Sequence, residues 1–394
     1  MPLISHDLLE TGNHRLEEIE AAGIRHFDEQ ISSIPNIIKL TLGEPDLNTP
    51  SHIKEAAIKS IEENKSHYTP AKGITELRKA AANFLLETQN LRYDPDKEII
   101  TTAGSTEGLT ASLIALLNPH DEVIVISPAY PLYVEVLKLI GANPVIIDTS
   151  DTDFELTPSK LQAVLNEHPK TKGIILNYPN NPTGKEYSKN NLEELAKVIE
   201  QNHLLAFSDE IYSELTYNTK HFSIAHYIPE RTIIFNGVSK SFAMTGYRIG
   251  VIAGPQFLID KIAKLHSYLI TCPTNSSQYA AVEAFNNGQV DIINALNKYK
   301  TRRDFLIKEL DRIGLNYNSP EGTFYLFIKI PSSYKKNDYQ FALDLAHQAH
   351  VGVIPGSIFG IGGKGQVRLS YATSLSQLKE AIQRLKKFFE TNNS

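Results

Sequence analysis

Two cationic side chains lie close together in a stretch that is otherwise rich in small and apolar residues. In "NGVSKSFAMTGYRIGVIAG" (236–254), Lys240 directly follows Ser239, and Arg248 comes eight positions later among glycines. Long cationic side chains are rarely buried unless they have a partner. A lysine in a dry pocket has a lowered pKa and becomes nucleophilic, which suits Schiff-base chemistry. This stretch therefore predicts a reactive amine, provided that other segments supply its partners.

Acidic, phenolic and amide side chains follow two other predicted strands. The segment "FSDEIYSEL" (207–215) ends its strand at Asp209, and Tyr212 would lie on the same side if a helical turn begins there. The segment "YPNNPTG" (178–184) also follows a strand, and its Asn-Pro pair is typical of a turn. Open α/β sheets bind ligands outside the carboxyl ends of their strands, although each segment alone is equally typical of a solvated loop.

A phosphate site is predicted where a strand meets a helix in "TTAGSTEGL" (101–109). A glycine is followed by Ser105 and Thr106 at the predicted helix start, where free N–H groups and the helix dipole favour an anion. By contrast, "GIGGKG" (360–365) matches a dinucleotide fingerprint by its letters but precedes a strand pattern, so it is interpreted as a turn. A lysine, an acidic partner and a phosphate cradle together indicate a pyridoxal-phosphate (PLP) enzyme.

Alternating strands and helices must position these residues, which predicts the α/β class. Strand patterns cover 98–104, 121–127, 172–177, 203–209, 231–237 and 248–254. Helices are predicted between them, which favours a mainly parallel sheet flanked by helices. After about residue 285, segregated helices and strands indicate a smaller α+β domain. The predicted boundaries are 48–285 for the large domain, and 1–47 with 286–394 for the small domain.

The composition is that of an ordinary globular enzyme with two domains. The chain has 394 residues, 41% of them hydrophobic, and a net charge of −6, which argues against nucleic-acid binding. Its one cysteine, Cys272, permits no intrachain disulfide, and no Cys/His spacing indicates a metal site. Neither a signal-peptide pattern nor a membrane-spanning apolar run is found, so a cytoplasmic protein without membrane contact is expected.

Eight motifs carry a resemblance to a known family. They are "GEPD", "YTPAKGITELR", "AGSTEGL", "PAYPLY", "YPNNPTG", "SDEIYSEL", "SKSFAMTGYRIG" and "VRLSYA". Across nearly its whole length the chain resembles class I/II, fold-type I PLP-dependent aminotransferases. The motifs are specific for the cofactor and the family, and much less so for the substrate. Segments such as "GIRHF" are similar to bacterial aminotransferase A and N-acetyl-diaminopimelate aminotransferases.

The resemblance implies a catalytic role for each residue at the strand ends. Lys240 would form the Schiff base with PLP and move the proton from the substrate's Cα. Asp209 would keep the pyridine nitrogen protonated. Tyr212 and Asn181 would hydrogen-bond the phenolic oxygen of the cofactor, and Tyr130 would stack on its ring.

The phosphate contacts and the assembly follow from the same resemblance. Ser105, Thr106, Ser239 and Arg248 would bind the phosphate, so Arg248 would pair with a dianion. Tyr68, in "SHYTPAKG", would reach the phosphate of a neighbouring subunit. The chain is therefore expected to form a homodimer with shared sites.

Substrate carboxylates are expected to bind elsewhere in the pocket. Arg368 would bind the α-carboxylate in a bidentate manner, helped by Asn181 and the backbone at Gly43. Some family members that act on acidic substrates have a lysine in the loop that reads "GSTEGL" here, where this chain offers no positive charge. A distal carboxylate must then find another cation, for which Arg25 is a candidate, although it is equally interpreted as structural.

Three functions remain open at this stage. The first is an aminotransferase that moves an amino group from an L-amino acid to a 2-oxo acid, with 2-oxoglutarate expected, by ping-pong kinetics. The second is a PLP-dependent C–S β-lyase, which could use the same residues. The third is a regulator with an aminotransferase-like domain, which is disfavoured because the first 40 residues are too short and too weakly basic for a DNA-binding domain.

Overall fold

Strands and helices alternate along the first two thirds of the chain, as the sequence predicts. The computed structural model describes residues 11–19, 23–334 and 336–392. In that part of the chain the helices are α1 (Gly23–Ile31), α2 (Ser51–Glu62), α3 (Thr75–Gln89), α4 (Ser105–Leu116), α5 (Leu132–Ile140), α6 (Pro158–Glu167), α7 (Lys189–Gln201), α8 (Gln256–Ile270), α9 (Asn275–Asn287), α10 (Gln289–Ile313), α11 (Asp338–Asp344) and α12 (Leu375–Asn392). The strands are β1 (Ile38–Lys39), β2 (Ile99–Thr102), β3 (Glu122–Ser127), β4 (Asn143–Asp148), β5 (Thr171–Asn177), β6 (Leu205–Asp209), β7 (Thr232–Gly237), β8 (Gly250–Ala253), β9 (Tyr317–Asn318), β10 (Tyr325–Lys329), β11 (Val351–Gly352), β12 (Ile354–Pro355) and β13 (Gln366–Ser370).

Seven strands form the large sheet in the order β2-β8-β7-β6-β5-β3-β4. Strand β8 is antiparallel to both of its neighbours, and the pairs from β7 to β4 are parallel. The six strands predicted from sequence all form, which confirms the mainly parallel α/β sheet. Strand β4 was not predicted, because its opening Asn143-Pro144 is typical of a turn. It lies at the sheet edge and pairs only with β3, where a proline is tolerated.

Helices cover both faces of this sheet, which explains why its strands are continuously apolar. In β3, Val123 and Val125 belong to one buried cluster together with Leu109 of α4 and Leu258 of α8. Ile124 points to the opposite face and belongs to a different cluster, with the side chains of α6 and α7. A strand buried on both faces has no solvated side, so its sequence does not alternate.

A smaller antiparallel sheet, in the order β12-β13-β10-β9, forms the second part of the fold. Beside it, β1 pairs in parallel with β11, which attaches the N-terminal segment to the C-terminal part of the chain. Phe27 of α1 lies in one buried cluster with Phe327 of β10 and Leu385 of α12. The N-terminal segment therefore packs with the C-terminal part of the chain. The domain boundaries 1–47, 48–285 and 286–394 stay a prediction.

Within residues 11–19, 23–334 and 336–392, every helix is too short or too polar to span a lipid bilayer. No group of three or more His, Cys, Asp or Glu side chains in the same ranges could hold a metal ion.

Candidate active site

The carboxyl ends of the parallel strands gather the predicted site residues at one edge of the large sheet. The register sets Asn177 of β5 opposite Asp209 of β6. Gly237 of β7 and Thr102 of β2 both lie opposite Gly250, the first residue of the antiparallel strand β8. Residues that are far apart in sequence therefore meet at this edge because of the strand order.

Lys240 lies just beyond the end of β7, and its amine faces the N-terminal segment. Its Nζ donates a hydrogen bond to the backbone oxygen of Gly43 at 2.7 Å. Burial lowers the pKa of Lys240 to about 8, and the positive charges of Arg368 and Arg248 act in the same direction against Glu44 and Asp209. A substantial fraction of this amine is therefore neutral near physiological pH, as a nucleophile or proton acceptor requires.

Asp209 is the last residue of β6, and only 9% of its surface is exposed. Its Oδ2 accepts a hydrogen bond from the hydroxyl of Tyr133 at 2.6 Å, and its Oδ1 accepts one from the backbone N–H of Ile211 at 3.3 Å. Burial raises the pKa of Asp209 to about 6, against the lowering effect of these two hydrogen bonds. A carboxylate in this state is well suited to pair with a cationic ring nitrogen, which would supply the missing counter-charge.

Tyr212 reaches the same pocket from the turn that follows β6. Its hydroxyl lies 2.8 Å from the hydroxyl of Tyr325 on β10. The Nζ of Lys240 is 5.8 Å from the centre of the Tyr212 ring. Burial holds the pKa of Tyr212 well above its usual value, so it is a neutral hydrogen-bond donor.

Arg368 of β13 is a buried cation, only 1% exposed. Its Nη1 donates to Oδ1 of Asn181 at 2.8 Å, and its Nη2 donates to the backbone oxygen of Thr41. The guanidinium carbon lies 4.4 Å from the ring centre of Tyr325 and 4.9 Å from that of Phe359. Its buried Nε has no hydrogen-bond partner among the described residues. The sequence alone left a surface arginine open here, and the structure contradicts that interpretation because the side chain is buried. A buried guanidinium is suited to pair with an anion.

Asn177 fixes the loop that carries Asn181. Its Oδ1 accepts a hydrogen bond from the backbone N–H of Asn181 at 3.0 Å, and its Nδ2 donates to the backbone oxygen of Asp209 at 2.9 Å. Through these bonds the loop after β5 is tied to the end of β6. The amide of Asn181 is thereby held where it meets Arg368.

Ser105 and Arg248 meet at the start of α4, where the sequence predicts a phosphate cradle. Gly104 has φ +84°, and a Cβ there would lie 2.4 Å from Nη2 of Arg248, so only glycine allows this approach. A Cβ on Gly250 would lie 2.5 Å from the backbone nitrogen of Ser105. The Ser105 hydroxyl donates to the backbone oxygen of Asn236 at 2.9 Å. The helix N-terminus and a guanidinium therefore converge, an arrangement that suits a dianion.

The remaining predicted site residues differ in how far they are exposed to solvent. Ser239 is buried beside Lys240, whereas Thr106 is exposed on the first turn of α4. Tyr130 packs edge to face against Tyr133 at 5.9 Å between ring centres. Tyr68 is 87% exposed on the surface, and Arg25 is exposed on α1. The positive charge of Arg25 opposes the rise in the pKa of Tyr130 that burial and Asp209 cause.

Three side chains of the pocket were missed by the sequence analysis. Tyr133 lies three positions after Tyr130 in the motif "PAYPLY". This spacing is the local signal that could have indicated its bond to Asp209. Tyr325 and Phe359 cover the faces of the Arg368 guanidinium. Nothing in their local sequence indicates this contact, because it depends on strand pairing and on the fold of a distant turn.

The family model for aminotransferase class I and II matches residues 35–385. The chain is 41% identical to a probable N-acetyl-LL-diaminopimelate aminotransferase of Bacillus subtilis, and the match covers 95% of each chain. It is 38% identical to an aspartate aminotransferase of Pyrococcus abyssi, covering 95% of this chain and 97% of that one. The solved structure of Thermus thermophilus aspartate aminotransferase with maleate superposes with a TM-score of 0.91 at 34% identity, covering 96% of this chain and 100% of that one.

These similarities extend over nearly the whole chain and agree with the geometry at the sheet edge. They confirm the family that the motifs indicated, the fold-type I architecture and a transaminase activity. Members of this family generally depend on PLP. The protein belongs to the aminotransferase class I and II family.

Proposed function

We propose that this protein is a PLP-dependent aminotransferase that moves the amino group of an L-amino acid to a 2-oxo acid, with 2-oxoglutarate as acceptor and ping-pong kinetics. One observation carries the proposal. A buried carboxylate at Asp209, an amine of lowered pKa at Lys240 and a buried guanidinium at Arg368 converge on one pocket, and Nε of Arg368 has no hydrogen-bond partner within the described part of the chain. An aldehyde, a cationic ring nitrogen and an α-carboxylate are the groups that these three side chains suit.

The residues present fit the cofactor. When bound, PLP supplies an aldehyde carbon that bonds to amines and a pyridinium ring that withdraws electrons from the substrate's Cα. Its ring would lie against Tyr130 with its nitrogen at Asp209 and its phenolic oxygen at Tyr212 and Asn181. Its phosphate would be held by Ser105, Thr106, Ser239 and Arg248.

The protein's own groups then divide the work. Arg368 binds the α-carboxylate of the substrate, with Asn181 and the backbone of Gly43 holding it in place. Orientation by a bidentate contact is what brings the Cα–H bond towards Lys240. The neutral Nζ of Lys240 takes the proton from Cα, which its lowered pKa permits. Asp209, as an anion, keeps its partner nitrogen protonated.

A homodimer is part of the proposal. Tyr68 is 87% exposed. Ile61 and Tyr268 are also exposed, 67% and 86%, although they are large and apolar or aromatic. Exposed side chains of this kind are typical of a contact surface. We infer that Tyr68 of one subunit reaches the phosphate bound by the other.

The amino donor is inferred from the relatives. The B. subtilis relative bears the name of an N-acetyl-LL-diaminopimelate aminotransferase. We therefore propose N-acetyl-diaminopimelate as the first donor to examine, alongside aspartate, aromatic amino acids and alanine.

The test is a panel of amino donors with 2-oxoglutarate or pyruvate and the PLP-loaded protein. At least one donor should give equal amounts of its oxo acid and the new amino acid, with parallel double-reciprocal lines. Lys240→Ala should abolish turnover while the protein still binds some cofactor. Pyruvate formed from cystathionine without any 2-oxo acid would instead indicate the C–S β-lyase, and wild-type turnover by Lys240→Ala would overturn the proposed mechanism.

A further inference from the structure

Behind the pocket lies a buried cluster of charged groups that the proposed transamination does not use. The imidazole of His221 lies between two carboxylates, with Nδ1 3.1 Å from Oε1 of Glu186 and Nε2 3.1 Å from Oε2 of Glu210. The three side chains are 2%, 4% and 0% exposed, respectively. Charges so deeply buried are costly unless each is paired.

The hydrogen bonds define the charge of His221. An ionised carboxylate only accepts hydrogen bonds, so an imidazole that bonds one ionised carboxylate at each nitrogen carries both hydrogens. Burial lowers the pKa of His221, but the charges and hydrogen bonds of Glu186 and Glu210 outweigh burial and raise it to about 10. His221 is therefore an imidazolium at physiological pH, and the cluster carries one net negative charge.

The two carboxylates come from the two segments that carry site residues. Glu210 directly follows Asp209, and Glu186 follows the loop that holds Asn181. Oε1 of Glu210 also accepts hydrogen bonds from the hydroxyls of Ser208 at 2.8 Å and Ser223 at 2.6 Å. The imidazolium thus joins the loop after β5 to the end of β6, in addition to the bonds of Asn177.

We propose that His221 is a positioning residue for transamination, whose positive charge links Glu186 to Glu210 and so holds Asn181 against Arg368 and Asp209 at its place in the pocket. The inference rests on the proposed function, because the positioned groups are those that bind cofactor and substrate. It also gives His221 an electrostatic task, since the charge of Glu210 raises the pKa of Asp209.

The neighbouring titratable groups determine how the link responds to pH. Those that interact with the His221, Glu186 and Glu210 side chains are Tyr93, Tyr178, Tyr187, Asp209, Glu214 and Glu321. Burial raises the pKa of Glu186, so this carboxylate takes up a proton readily when its cation is removed. In His221→Gln, a protonated Glu186 can replace the imidazolium as hydrogen-bond donor at low pH. At high pH Glu186 ionises, and the link is lost.

The test compares the PLP-loaded wild type with His221→Gln and with the double variant Glu210→Gln/His221→Gln between pH 6 and 9. In the double variant the net charge of the cluster is again −1, because one carboxylate and the imidazolium are both gone. His52→Gln is the matched control, because His52 also bridges two carboxylates, Glu283 and Asp291, but on helix α2.

For His221→Gln we expect kcat/KM relative to wild type to fall about tenfold from pH 6 to pH 9, mainly through a higher KM for both substrates. The double variant should fold and show a loss that does not change with pH, because Glu186 no longer faces a second carboxylate, and His52→Gln should show no pH-dependent loss. A loss in His221→Gln that is the same at every pH, or no loss, would overturn the inference. So would a loss in the double variant that grows with pH as it does in the single one. If wild type itself does not transaminate, the proposed function fails instead.

Discussion

The hydrogen bond from Tyr133 to Asp209 gives the sharpest quantitative prediction. Tyr133→Phe removes one hydroxyl and keeps the ring, including its edge-to-face contact with Tyr130. The lost bond is 2.6 Å long and joins a buried phenol to a buried carboxylate. A hydrogen bond to a charged group contributes about 1.5–3 kcal/mol, and one pKa unit corresponds to about 1.4 kcal/mol. The pKa of Asp209 should therefore rise by roughly one to two units.

This rise should change how the protein binds its cofactor. With a pKa of about 6, Asp209 is roughly 90% ionised at pH 7. After the substitution the ionised fraction should lie between about one half and one tenth. The apoprotein can be titrated with PLP at each pH from 5 to 9, with absorbance as the signal. The pH at which tight PLP binding is half lost should be one to two units higher in the variant than in wild type. Affinity at pH 7 should fall about two- to tenfold.

Tyr334→Phe is the matched control, because the hydroxyl of Tyr334 also donates to a carboxylate, that of Asp344, outside the pocket. It should leave the midpoint of PLP binding unchanged. If Tyr133→Phe leaves the midpoint within 0.2 units of wild type, or if Tyr334→Phe moves it equally, the assigned role of Tyr133 is refuted.

Three more predictions concern the substrate site, the dimer and stability. Arg368→Lys should raise KM for both amino and oxo acid by roughly 10- to 100-fold, since lysine cannot make the bidentate contact; an unchanged KM in steady-state kinetics would contradict the assignment. Tyr68→Phe should weaken PLP binding without dissociating the dimer, as measured by equilibrium dialysis and sedimentation; unchanged affinity would argue against a shared site. The pKa of His221 is raised on folding, so its stabilising effect is full below about pH 6.5 and is lost as the pH rises through about 10. As the pH rises from 7 to 9, the unfolding temperature of wild type should therefore fall more than that of Glu210→Gln/His221→Gln. An equal fall in both proteins would contradict the charged state of His221.

Most of the large sheet could be predicted from sequence because its strands are short apolar runs that end in turn residues. Val123, Ile124 and Val125 illustrate this, since a strand buried on both faces needs no alternation. Strand β4 was missed because Asn143-Pro144 indicates a turn, and only pairing with β3 makes the segment a strand. The catalytic candidates at the strand ends were found because their residue types stand directly after such runs.

The contacts that complete the pocket could not be predicted in the same way. Tyr325 and Arg368 lie on strands β10 and β13, and their side chains meet only because these strands pair in one register. Tyr133 reaches Asp209 across 76 positions of sequence. Such contacts depend on the relative placement of whole elements, to which no local pattern is sensitive.

The sequence by itself determined the chemical groups: an amine among small residues, a carboxylate at a strand end, and a glycine–hydroxyl turn at the start of a helix. These follow from residue type and local backbone preference, which neighbouring residues define. Only the tertiary structure decided the state of those groups. Burial lowers the pKa of Lys240 and raises that of Asp209, and it leaves Nε of Arg368 without a hydrogen-bond partner among the residues that the structure describes. Desolvation is a property of the packed chain, because it depends on every atom that takes the place of water.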